Sequence, residues 1–190
     1  DVDLADKVVT PNFLSVRSIP LAHSPTNASS DQDHHAFSLF DRALVIDDAE
    51  LAAASSNAGK DCSAAVVLFN TGLAFHLQGR QDIRSQQTSF KNALWFYKMA
   101  FGILERCSES EYHEVNQLVY LAVMNNMGHI YSHFCEGREA QYCLQLLQTM
   151  LKTMKSSGID ILNHEYLPFS MNVLILLVGG QEVAAAAAAA

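Results

Sequence analysis

Basic residues are scarce in this 190-residue chain: 12 Lys and Arg stand against 20 Asp and Glu, a formal charge of −8. The few cations are scattered along the chain, and an acidic surface of this kind repels phosphate backbones, which argues against nucleic acid as a partner. Cysteine is sparse as well. Cys62, Cys107, Cys135 and Cys143 form no CxxC pair and are too few for a disulfide framework, which points to a reducing compartment. Their apolar neighbours read as sites for small buried hydrophobes. Long apolar runs are missing too: the strongest, Met171 to Val178, stops at Gly179-Gly180, short of the roughly 18–20 residues that a membrane-spanning helix needs. The chain opens on Asp1 without a basic start leading into an apolar segment, so the expectation is a processed protein or a fragment, intracellular, cytoplasmic or organellar after processing. There is no G-x-S-x-G turn, no glycine-rich phosphate loop and no paired carboxylates at a fixed spacing, and the expectation is a protein without catalysis or cofactor.

What the chain has is an apolar content of 49% against 17% charged residues, enough for one ordinary core. Up to about Asp33 it is rich in Ser, Asp and Asn, with Pro11, Pro20 and Pro25 breaking any period, which predicts an extended arm without elements of its own. Asn27-Ala28-Ser29 fits a glycosylation sequon, a triplet that recurs by chance. A dense apolar segment, 36–47, contains Phe37, Leu39, Phe40, Ala43, Leu44, Val45 and Ile46; over so short a run a strand and a helical turn fit equally. Leu51 to Asp61 reads as a linker, dividing an amino-terminal arm, 1–60, from a helical domain, 61–180, with an alanine-rich tail, 181–190, left out of account.

Apolar spacing of three and four predicts helices over 62–78, 90–106, 111–134, 138–156 and 165–178. Gly79 and Gly137 are expected to end the first and third, Ser156-Ser157-Gly158 the fourth, and Ser110 to cap the third. Pro168 suits the first turn of the last. Short connections between helices of similar length imply antiparallel hairpins. The predicted fold class is all-α with a possible short strand or strand pair near the amino terminus. A helix apolar on nearly every side, Ala93 to Leu104, with Trp95, Tyr97, Met99 and Phe101, needs cover from the arm, the last helix or another chain.

Two segments look duplicated: Leu68-Phe69-Asn70-Thr71-Gly72-Leu73-Ala74-Phe75 and Met124-Asn125-Asn126-Met127-Gly128-His129-Ile130-Tyr131. Each leads into a second helix with small and aromatic residues, Ala93, Tyr97 and Ala100 in one copy, Ala140, Leu144 and Leu147 in the other. In these positions the chain resembles the tetratricopeptide repeat family over about 65–156, with nine extra residues between the helices of the first copy and no closing proline in either. A looser similarity, on Phe37 to Leu44 and Leu68 to Gly79, is to divergent repeat proteins of diatoms and related algae. The resemblance implies two helical hairpins plus a final helix, with Gly72 and Gly128 as equivalent points of close helix approach.

The same resemblance implies a concave groove for a partner segment, carrying Phe69, Asn70, Leu73 and His76 from the first copy and Asn125, Asn126, His129, Ser132 and His133 from the second. It implies a non-catalytic scaffold or subunit of a larger assembly, binding protein. The lysines that clamp a chaperone's terminal carboxylate in such repeats have no counterpart, since Phe69 and Asn125, or Leu73 and His129, stand in their places. A different reading takes His129 and His133, one turn apart, as zinc ligands with Cys135 or Glu136 nearby, although Ile130 stands where a metalloprotease would have Glu. His34-His35 fits a solvated loop.

Overall fold

The computed structural model describes residues 16–21, 37–46, 57–107 and 115–188. The sequon, His34-His35, Ser110 and most of the proposed linker lie outside these. Two strands and five helices follow in chain order: β1 (Val16–Pro20), β2 (Arg42–Ile46), α1 (Asn57–Gln81), α2 (Gln86–Cys107), α3 (Val115–His133), α4 (Gly137–Ser156) and α5 (Leu167–Ala188). The mostly helical expectation holds, and the apolar segment carries a strand over 42–46. The short amino-terminal strand pair allowed by the sequence is present, and its first strand falls within the proline-broken arm. β1 pairs antiparallel with β2, Val16 opposite Ile46 and Pro20 opposite Arg42.

α1 packs along α2 and α3 along α4, as hairpins. α1 touches α3 and α3 touches α5, so these three form an inner row, over which β2 lies on α1 and β1 on α3. The core is continuous: Phe69, Leu73, Ala93, Tyr97, Ala100, Leu121, Met124, Ile130, Leu147 and Met154 are buried together with Phe37, Phe40 and Leu44 from the extended segment. That segment is therefore part of the core. Its three apolar anchors, Phe37, Phe40 and Leu44, are buried, each worth roughly 1.5–3 kcal/mol.

Several helix ends differ from the expectation. α1 continues through Gly79 to Gln81, because Gly79 faces the Phe90 ring of α2 and serves packing instead of chain reversal. Asn57 to Asp61 are helical, not linker. Longer helices absorb most of the nine extra residues, leaving 82–85 as the connection, where Asp82 caps the turn by accepting hydrogen bonds from the Arg84 amide and the Ser85 hydroxyl. Gly137 opens α4 and does not close α3; the reversal falls on Cys135, at φ 58°. Gly158 does end α4, at φ 82°, with its amide bonded to the Lys155 carbonyl in the left-handed conformation that glycine adopts at no steric cost. Pro168 sits in the first turn of α5 as expected.

The two duplicated glycines have unlike surroundings, which corrects their assigned equivalence. A methyl on Gly72 would meet the Tyr97 ring at 2.7 Å and the Ala93 carbonyl at 3.2 Å, both on the partner helix. A methyl on Gly128 would meet the Phe37 ring at 2.6 Å. Gly72 admits a helix, and Gly128 admits the extended segment.

Candidate functional site

The inner row of helices places one asparagine from each of α1, α3 and α5 beneath the extended segment. On α1, the Asn70 Oδ1 accepts the Leu44 amide at 2.9 Å and its Nδ2 donates to the Leu44 carbonyl at 2.8 Å. On α3, Asn126 does the same to Phe40, at 2.9 and 3.0 Å. On α5, Asn172 holds Ser38, at 3.3 and 2.8 Å. A carboxamide carries one acceptor and one donor side by side, as a peptide group does. Each asparagine thus stands in for one residue of a neighbouring strand.

Strand geometry explains the spacing. Main-chain groups of alternate residues point to the same edge, so Ser38, Phe40 and Leu44 offer theirs to the helices. The opposite edge pairs with β1. Because Leu44 is taken by Asn70, its neighbour Ser18 has its own amide free of the ladder, and that amide donates to the Glu165 Oε1 at 3.1 Å. Pro20, which has no amide, falls opposite Arg42, two residues from Leu44 and on the same parity, where the ladder requires no donor.

The polar groups beneath the strand are almost fully matched. Asn125 donates to the Ser38 carbonyl at 2.8 Å and to the Asn126 Oδ1 at 3.3 Å, and its own oxygen accepts from Asn172 at 2.6 Å. Asn126 spends its second amide hydrogen on the Tyr97 hydroxyl at 3.2 Å. Tyr97 reaches His76 Nδ1 at 3.3 Å, and His76 Nε2 reaches His129 Nδ1 at 3.0 Å. Because Asn126 already donates to the Tyr97 oxygen, the arrangement that uses the Tyr97 hydroxyl hydrogen runs one way: Tyr97 donates to His76 Nδ1, and His76 Nε2 donates to His129 Nδ1, both imidazoles neutral.

Burial, first, and then His129 hold the His76 pKa well below the ordinary value, and burial with Arg80 and His133 brings His129 down to about 4. Burial likewise pushes the Tyr97 hydroxyl up. These groups are built to stay uncharged.

Of the residues expected on a partner-binding face, Asn70, Asn125 and Asn126 hold main chain directly, Phe69 packs its ring against Phe40 at 6.3 Å, and Leu73 and His76 are buried beneath. His129 joins His76, while Ser132 is half-buried and His133 exposed at the end of α3, its ring 4.8 Å from Phe90. The asparagines of this face are engaged by the protein's own residues 38–44. Asn172, Glu165 and the organising role of Tyr97 were not foreseen. The signal for Asn172 was faint, since Leu174 follows it where Gly72 and Gly128 follow the other two asparagines.

His129 engages His76, and among the described residues no group of three or more His, Cys, Asp or Glu is placed to hold a metal ion. Cys62 and Cys143 are buried, as their neighbours imply, whereas Cys135 is exposed in the α3–α4 turn. Among the described residues no helix is long and apolar enough to cross a membrane. Comparisons with family models, with curated proteins and with solved structures found no match.

Proposed function

We propose that this protein is a non-catalytic protein–protein interaction scaffold, or a subunit of a larger assembly, built on tetratricopeptide-like helical hairpins. Its inner helix row holds extended chain through asparagine carboxamides. The observation that carries this reading is the threefold grip of Asn70, Asn126 and Asn172 on the main chain of one extended segment. Main-chain recognition supplies affinity for any extended chain, and the pockets filled by Phe37, Phe40 and Leu44 supply selectivity. Outside this groove, Trp95 and Met99 remain 56% and 42% exposed on α2, an apolar strip suited to contact with protein.

Affinity purification of the full chain from its native source tests the reading. A stoichiometric protein partner is expected, and it should be lost on replacing the exposed Trp95 with Glu. Equal recovery of that partner by the wild-type chain and the folded Trp95→Glu variant would overturn the proposal, as would recovery of a small substrate that the protein turns over.

A further inference from the structure

We propose that the seam between α4 and α5 is a docking groove for an amphipathic helix of another chain, apolar on one face and acidic along one flank. The seam holds a cavity of about 350 Å³ lined by Leu151, Lys152 and Lys155 of α4 and by Val173, Leu174 and Leu177 of α5. Leu174 is 54% exposed, and Met171, Ile175 and Val178 continue the bare apolar surface. A patch of this kind on a described helix calls for cover.

The molecule itself shows what covers such a seam. α2 and α3 make the equivalent one: their rings meet at Phe101 and Tyr120, 5.8 Å apart, and Lys98 lies over the Tyr131 ring. α4 packs along α3 there, with Cys143 buried. Asn172 gives α5 the role that Asn70 gives α1 and Asn126 gives α3. The next seam in the series therefore lies between α4 and α5, and a helix laid as α4 is laid would fill it.

Charge selects the flank. Lys152 and Lys155 are exposed on the rim and have no carboxylate partner among the described residues, so a helix with Asp or Glu on that edge gains where a basic one is rejected. A second copy of this chain is disfavoured by the same lysines, because a two-fold pairing of grooves would bring four ammonium groups to one interface. This surface shares no residue with the asparagine grip, and it stands or falls separately from it.

The test pans a display library of 20-residue amphipathic helices, randomised at the apolar and flanking positions, against the full chain. Selected helices should carry Asp or Glu on one flank and should bind Leu174→Glu at least about tenfold more weakly, with the variant's melting curve unchanged. Charge reversal of Lys152 and Lys155 to Glu should shift selection to Lys and Arg. The proposal is overturned if no helix is selected, if the selected flanks are neutral or basic, or if binding survives Leu174→Glu. It is overturned equally if sedimentation shows a wild-type dimer that Leu174→Glu makes monomeric, since the face would then belong to a second copy.

Discussion

A buried carboxamide whose donors and acceptors are all matched tolerates no isostere, because a carboxylate of the same shape turns a donor into an acceptor facing a carbonyl. Asn126 donates to both the Phe40 carbonyl and Tyr97. Asn126→Asp should therefore lower unfolding free energy by about 3 kcal/mol, measured by urea denaturation. A loss within the error of the fit would show that the grip contributes nothing. The glycines give a contrast in sign. Alanine at Gly72 or Gly128 meets a buried ring below 3 Å and should cost about 1–3 kcal/mol, more than the helix-propensity gain of about 1 kcal/mol. Gly102 has no atom within 4 Å of its added methyl, so Gly102→Ala should raise the thermal midpoint. The aligned pair Asn70 and Asn126 was legible in the sequence, but their ligand was not, since a side-chain amide names no partner until the chain is folded around it. The two glycines looked alike because helix spacing alone does not distinguish a neighbouring helix from a ring that arrives from a distant loop.

At the scale of elements, the helices of both hairpins were legible from spacing, as was the end of α4 at Ser156, while the ends of α1 and α3 were not. Gly79 is read as a terminus by its residue type, yet Phe90 needs the space it leaves and the helix runs on. β1 was hidden because a strand with polar neighbours and a proline shows no alternation, and only its pairing with β2 defines it. The segment that carries β2 behaves as a structural member of the core. Phe40 packs on the Phe169 ring at 4.8 Å and is buried, and Phe40→Ala should cost about 3–5 kcal/mol, a large part of an ordinary domain's stability. Cooperative loss of signal from both hairpins, followed by hydrogen exchange, is expected. Selective loss confined to residues 37–46 would mean that the strand is merely an appendage.

For the molecule as a whole, stability should depend on pH through the His76–His129 pair. Both are held below the ordinary histidine value, His129 at about 4, so below about pH 6.5 the unfolded chain binds more protons than the folded one. Stability is then complete above pH 6.5 and falls as pH drops toward 4. Urea midpoints at pH 8, 6 and 5 and constant ionic strength should decline, and His129→Gln should decline less steeply; parallel curves would show that the pair is not responsible. The strand also ties distant parts of the chain, for Ser38 and Asn172 lie 134 positions apart in sequence. During synthesis, at roughly 5–20 residues per second, Phe37 and Phe40 leave the ribosome on the order of ten seconds before the last side chain that will hold them. In that interval a sticky, unshielded stretch is on offer to any passing chaperone, and this nascent chain should be a client for one.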